Sequence, residues 1–406
     1  MQYFTNAKQI VPYLQQLYGK RNIAQVERYA DVLSHFKRLF GGDGAFICSS
    51  SGRVEFVGNH TDHNGGRVIG CAISLDIVVA FRPTCDNTIV VEGKGRNPIK
   101  FSLDDDAKLY GSAGLVKGVA LYLKQQGYNV GGFVAYSDST VPVGAGVSSS
   151  AAFELAIGSI LNACYNNGTI LPQVLARAGQ YAENNFFNKP CGLLDQSVVA
   201  FGGVVSLDFR NGVEEQNIVT DLTKLQLVLV DTGTSHASLS DLYASIPRDM
   251  KAVANYFNCD RLIDVDKQQF CDRLDYVQQA IGLLPTLRSK HFFEENTRVV
   301  AMEQALAESN VEKVVQLINS SGDSSQYQLQ NCAVDESDTV IADVIATARS
   351  VSSRCGARVH GGGFAGTVLC VLPADLASDF IVKMRAIYGD EKIIPLKIRS
   401  VGTSVL

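Results

Sequence analysis

The sequence predicts two α+β domains, and three observations predict them. Residues 45 to 93 alternate β-branched and aromatic runs with glycine turns, the middle of the chain carries helical spacing, and the C-terminal part returns to short strand-like runs around one helix. The chain is 406 residues long, 46% hydrophobic and 19% charged, so it can bury a large core. At about 150 residues per domain, two domains are expected. No Pro-rich linker, charge block or short repeat marks a seam, so the boundary is drawn from pattern alone, with 1–210 as one domain and 211–406 as the other.

Each element has its own reason. FICSS, RVEFV, RVIGCAISLDIVVAF and TIVVEG read as strands of a mostly antiparallel opening. Residues 112 to 126 have helical spacing, FVAYS from 133 reads as a strand, and VSSSAAFELAIGSILNAC from 147 puts Val147, Ala151 and Leu155 on one helical stripe. Ala152, Ala156 and Ile160 thicken that face. A further helix is expected near 170 to 185, then strands at 202 to 209 and 225 to 231. Residues 238 to 352 are largely helical in pattern, and RVHG, TVLCVL and IIPLKI close the chain as strands around a helix near 375 to 388.

Lys and Arg total 36 against 41 Asp and Glu, a net charge of −5, which offers no electrostatic footprint for nucleic acid or an anionic membrane. The ten cysteines show no zinc or redox spacing, and most are expected in the core. The first twenty residues lack the layout of a signal peptide, and no run of about 18 apolar residues exists to span a bilayer. A cytoplasmic protein is expected.

Three glycine-rich segments and one acid carry the chemistry. In PVGAGVSSSAA, Pro142 to Ala152, a glycine-and-proline turn feeds a helix opened by three serines. Gly144 and Gly146 allow close backbone approach, and the free amides and dipole of the helix start suit phosphate. An ordinary serine-capped helix would read the same way. Neither a Walker loop nor a G-x-G-x-x-G turn after a strand is present, so a nucleotide would bind by another scheme. SGRVEFVGNHTDHNGG, Ser51 to Gly66, gathers Arg53, Asn59, His60, Asp62 and His63, a polar set suited to a sugar or to a solvated turn. GARVHGGGFAGTVLCV places Gly361, Gly362 and Gly363 between strand-like runs, where a ligand or another backbone must lie close. Asp195, in NKPCGLLDQS, is either a helix cap or an acid whose burial a cation such as Arg53 would offset.

In order, spacing and nearly full length these segments resemble the GHMP kinase superfamily, and within it the galactokinases. Residues 52 to 66 resemble G-R-V-N-L-I-G-E-H-T-D-Y-N-G-G, residues 142 to 152 resemble P-x-G-x-G-L-S-S-S-A, residues 356 to 366 resemble G-A-R-x-x-G-G-G-F-G-G, and E-x(6)-P-C-G-x-x-D-Q runs from Glu183 to Gln196. The resemblance implies a ribosomal-protein-S5-like N-terminal domain, a ferredoxin-like C-terminal domain and a cleft between them in which ATP phosphorylates the anomeric hydroxyl of galactose. It makes Asp195 the catalytic carboxylate and Arg53 its partner. Pro142, Gly144, Ala145, Gly146, Val147, Ser148, Ser149, Ser150 and Ala151 would form the nucleotide loop, with Ser150 and Glu183 as magnesium ligands. Asn59, His60, Asp62, Gly192, Tyr243, Gly362 and Gly363 would meet the sugar. A monomer or weak homodimer is expected.

The departures bear on substrate. Asn59 stands where the family has a Glu that contacts the 6-hydroxyl, Glu55 where it has Asn, His63 where it has Tyr, His360 where it has Thr, Ala365 where it has Gly and Ser51 where it has Pro. Ser112 replaces a Trp common beside the nucleotide base, and the chain has no Trp. An Asn amide can donate to a 6-carboxylate, and uronic-acid kinases also carry H-x-D-H, so galacturonic acid or another anomeric sugar is the rival substrate. A non-catalytic sugar and ATP sensor is the alternative of another class; the intact serines of the loop weigh against it.

Overall fold

A computed structural model describes residues 1–19, 23–187, 191–212, 214–218, 222–233 and 239–406. Pro190 of the P-C-G stretch lies outside the described residues. The strands are β1 (Phe46–Val57), β2 (Arg67–Pro83), β3 (Thr88–Gly93), β4 (Ile99–Ser102), β5 (Phe133–Ser139), β6 (Val204–Asp208), β7 (Glu214–Ile218), β8 (Leu225–Asp231), β9 (Gly356–His360), β10 (Thr367–Pro373), β11 (Ile393–Leu396) and β12 (Ser404–Val405).

They form two sheets. Among the described residues the first has eight strands in the order β12-β1-β2-β5-β3-β4, with β6 added beside β2 and β7 beside β6. The 17-residue β2 makes this possible: its C-terminal half pairs with β5 and its N-terminal half with β6. Among the described residues only β3 and β5 run parallel. The second sheet, β11-β8-β10-β9, is wholly antiparallel.

Helices cover both faces of the first sheet: Val11–Tyr18 and Ile23–Phe40 pack on Ile47, Val78 and Ala80, and the helices of the larger core pack on Cys48, Val79 and Phe81 of the other face. Gly111–Gln125, Ser149–Tyr165, Pro172–Phe186 and Leu194–Phe201 are the four around the site. The two stripes expected on the second of these are fully buried, from Val147 and Ala151 to Leu155 and from Ala152 to Ile160. At about 1.5–3 kcal/mol for each fully buried Val, Leu or Ile, and less for each Ala, this helix is fixed by packing rather than by propensity. Its core continues into Leu227, Leu229, Leu369 and Val371 of the second sheet, so one apolar interior joins the two sheets.

The C-terminus returns to the first sheet. Arg399 bonds Ser49, Gly203 bonds back to Arg399, and Ser404–Val405 pairs with β1. Fewer cysteines are in the core than expected: Cys48, Cys71, Cys332, Cys355 and Cys370 are buried, whereas Cys85 and Cys271 are exposed. Among the described residues no helix is long and apolar enough to cross a membrane.

Candidate active site

The phosphate-type loop is tied down from below by β1. The Arg53 amide donates to Val147 O at 3.2 Å, and a side chain at Gly52 would come within 2.8 Å of the same carbonyl, so only glycine lets strand and loop approach this closely. Gly144 and Gly146 have φ of +82° and +73°, and Ser148, at +61°, holds the left-handed conformation without being glycine. His60 and Phe364, at +57° and +59°, do the same in the other two glycine-rich segments. Such strained residues persist where the surroundings hold them, and here all three glycine-rich segments carry one.

Ser148 ends the loop and Ser149 begins the helix. The first helical bond runs from Ala152 N–H to Ser148 O, 3.0 Å, so the amides of Ser149, Ser150 and Ala151 before it have no acceptor within the helix. Ala145, Val147 and Ala151 turn their side chains into the core, so at these positions it is the backbone that a ligand would meet. Pro142 and Gly144 lie on the open side of the loop.

Asp195 stands in the first turn of Leu194–Phe201 and does not cap it. Arg53 Nε and Nη2 reach its Oδ1 at 2.8 and 2.7 Å, and Ser148 Oγ donates to Oδ2. Arg53 Nη1 also donates to Gly146 O. One guanidinium thus joins the acid to the loop. Beside them Ser150 Oγ donates to Glu183 Oε1 at 3.0 Å, and Gln196 Nε2 donates to Glu183 Oε2 at 2.9 Å and to Glu154 Oε2 at 3.0 Å. Among the described residues no group of three or more His, Cys, Asp or Glu gathers to hold a metal ion.

Asp62 is the acid of the other wall. Its Oδ1 accepts from the His63 amide at 2.9 Å, and a Cβ on Gly192 would sit 1.8 Å from its Oδ2, so the segment before Asp195 is pressed against it. Burial, the charge of Glu55 and, less strongly, that of Asp195 push the Asp62 carboxyl up to about 6. Tyr243 packs on Gly362, where a Cβ would fall 2.5 Å from its ring, and donates its hydroxyl to Gly363 O at 2.9 Å.

His60 Nε2 donates to Gly362 O at 2.9 Å, and burial lowers its pKa. Burial likewise holds His291 down to about 4; its Nε2 donates to Asn59 O at 2.9 Å. His63, on the open side of the crevice, accepts from Asn64 at Nδ1, which leaves that nitrogen without a proton.

Asn59 is 1% exposed and spent on protein partners. Its Nδ2 donates to Glu55 Oε1 at 3.0 Å and Gly361 O at 2.7 Å, while Oδ1 accepts from Asn331 Nδ2 at 2.8 Å. His360 also has a structural use. The Glu55 amide donates to its Nε2 at 3.1 Å, which puts the ring proton on Nδ1, facing Thr367 Oγ1 at 3.3 Å; Thr367 in turn donates to Ala145 O at 3.1 Å. This relay joins β1, β9, β10 and the phosphate-type loop.

The likeness to known proteins follows the same segments. Residues 34–83 match the galactokinase galactose-binding signature, and residues 114–203 match the GHMP kinases N terminal domain. A galactokinase of Limosilactobacillus fermentum is 28% identical over 379 residues, 89% of this chain and 94% of that protein. One of Limosilactobacillus reuteri is 28% identical over 377 residues, 88% of this chain and 94% of its own. The chain resembles the galactokinases of the GHMP kinases over most of its length. Its fold is that of the family: the Lactococcus lactis galactokinase solved with galactose superposes with a TM-score of 0.82 at 23% identity, covering 93% of this chain and 100% of that one. Methanococcus jannaschii mevalonate kinase superposes with a TM-score of 0.62 at 14% identity over 87% of this chain and 98% of its own.

Several residues of this site had no signal in the sequence. Glu154, Asn331, His291 and Arg358 reach it from elements far apart in the chain, and only the spacing of Glu154 from Ser150, one turn along the same helix, could have flagged any of them.

Proposed function

We propose that the chain is an ATP-dependent galactose 1-kinase, converting galactose and ATP to galactose 1-phosphate and ADP. The observation that carries this reading is the Asp195 carboxylate held between Arg53 and Ser148 at the mouth of a helix start that suits phosphate. Asp195 accepts the proton of the anomeric hydroxyl as that oxygen attacks the γ-phosphorus, the bond to the β-phosphate oxygen breaks, and ADP leaves. Arg53, fixed to both the acid and the loop, meets the charge that develops between them. The amides from Ser148 to Ala151 hold the phosphates.

Ser150 and Glu183 would hold a magnesium ion, which neutralises phosphate charge. The donor set is all oxygen, with two protein groups, and suits an octahedral ion that takes its other ligands from phosphates and water.

On the sugar side, Asp62, His60, Tyr243, Gly192, Gly362 and Gly363 form the wall that receives the hexose. A uronic acid fits this wall less well: Asp62 and Glu55 are acids, and His60 and His291 are held neutral. The Asn59 amide, which would have received a 6-carboxylate, is occupied. Ten free thiols suit a reducing cytoplasm.

Sugar-dependent ADP release with galactose, galacturonic acid and water tests the reading. Turnover with galactose and none with water is expected; binding of both ligands without turnover would make the protein a sensor instead.

A further inference from the structure

Glu55 adds negative charge beside Asp62, but no ligand atom has yet been assigned to its carboxylate. Arg53, Val54 and Glu55 pair in unbroken register with Ala72, Cys71 and Gly70, so Arg53 and Glu55 leave the same face of β1. Alternate residues of a strand are roughly 7 Å apart, a span comparable with a hexopyranose ring. Arg53 marks the reacting end, because it holds Asp195 at 2.7 Å. Glu55 therefore stands where the far end of a hexose would lie.

Its two oxygens are treated differently. Oε1 accepts from Asn59 Nδ2 at 3.0 Å and from Arg358 Nη2 at 2.9 Å. Arg358, wholly buried, is fixed in turn by Phe56 O at 2.8 Å. Among the described residues no donor reaches Oε2, and the side chain keeps 9% of its surface open. Oε2 is not among the sealed, unpartnered oxygens of the described residues, so it is the open acceptor of the pair, and a sugar hydroxyl can take the place of water on it. Asn59 cannot compete for that hydroxyl, since its amide is fully engaged.

We infer that Glu55 accepts a hydrogen bond from the hydroxyl farthest from the reacting oxygen, the primary 6-hydroxyl of the hexose, and so selects a neutral hexose over a 6-deoxy sugar or a uronic acid. The inference rests on the sugar 1-kinase reading. The sequence carries a matching trace: against G-R-V-N-L-I-G-E-H the amide and the acid have changed places, and Glu55 and Asn59 touch each other. The carboxylate is retained and comes from β1 instead of the turn after it.

The test measures kcat/KM for galactose, 6-deoxygalactose and galacturonic acid in the unaltered protein, Glu55→Gln and the double exchange Glu55→Asn with Asn59→Glu. The unaltered protein prefers galactose to 6-deoxygalactose by about 10- to 100-fold. In Glu55→Gln the amide oxygen stays with Asn59 and Arg358, which are both donors, and the NH2 group turns to the sugar. The ratio of galacturonic acid to galactose then rises by about tenfold or more, and the galactose KM rises. The double exchange returns a carboxylate to the pair and restores the original order. Equal use of galactose and 6-deoxygalactose by the unaltered protein, or an equal loss for all three sugars in Glu55→Gln, overturns the inference. Should Glu55→Gln fail to fold, the unaltered protein and the double exchange decide. Calorimetric binding of the same three sugars separates the two readings. Galactose binding with this selectivity but without ADP release sinks the kinase reading alone, and turnover without the selectivity sinks only the role of Glu55.

Discussion

Arg53 grips Asp195 through two nitrogens, Nε at 2.8 Å and Nη2 at 2.7 Å, both on Oδ1. The grip is geometric as much as electrostatic: two donors on Oδ1 and the Ser148 hydroxyl on Oδ2 together set the orientation of the carboxylate, and the third guanidinium nitrogen ties Arg53 to the loop at Gly146. The acid is thus positioned before any ligand arrives.

Replacing Asp195 with Asn keeps the size of the side chain and removes its charge. Turnover should fall by about 10³-fold or more, while nucleotide affinity stays within about threefold. Arg53, nearly buried, loses its anionic partner, so the melting temperature should also drop. Steady-state ADP release, nucleotide titration and a thermal melt read the three quantities; near-normal kcat in Asp195→Asn would remove the acid from the chemistry.

Glu183 is buried and shares its oxygens between Ser150 and Gln196. Glu183→Gln keeps an acceptor for Ser150 and loses the negative charge. The magnesium concentration for half-maximal rate should rise about tenfold or more, with kcat recovered in part at high magnesium, and chelation should abolish turnover of the unaltered protein. A magnesium curve that does not move would place the ion elsewhere.

The sequence made much of this framework legible, and the reasons are local. The helix at Ser149–Tyr165 announces itself through two apolar stripes, the strand Phe133–Ser139 through its alternation, and the loop before Ser148 through its glycines. What could not be read depends on distant partners. The Arg53–Asp195 bond spans 142 positions and the Arg358–Glu55 bond 303, and neither has a periodicity. Leu194–Phe201, at eight residues, is too short to show a helical stripe, and the closing strand β12 has only two residues, whose place in the first sheet is set by tertiary pairing with β1. That Asn59 would have Glu55, Gly361 and Asn331 as its partners could not be foreseen either, since two of the three lie more than 270 positions away.

Gly192 should be replaceable without backbone strain, since its φ is not positive, yet any side chain there meets Asp62 Oδ2 at 1.8 Å. The Asp62 side chain is short and held by the His63 amide, so the carboxylate must leave its place. Gly192→Ala should raise the galactose KM by about tenfold and leave nucleotide affinity unchanged. An unaltered galactose KM would show that Asp62 does not position the sugar.

Asp62 also fixes a pH dependence. In the free protein burial, Glu55 and Asp195 hold its carboxyl at about 6, against an ordinary value of 3.8. Because the folded state binds this proton more tightly than the unfolded chain does, the group's contribution to stability declines as pH rises from about 4 to about 6 and is constant above. Sugar binding follows the opposite course, since the ionised carboxylate is the form that accepts two hydroxyls. kcat/KM for galactose should therefore fall about tenfold per unit below pH 6, and Asp62→Asn should lack this limb while having a lower plateau. Bound galactose donates to the ionised form and lowers its pKa, so the limb in kcat should lie at a lower pH than the limb in kcat/KM. Coincident limbs in the two profiles, or a limb that survives in Asp62→Asn, would assign the titration to another group.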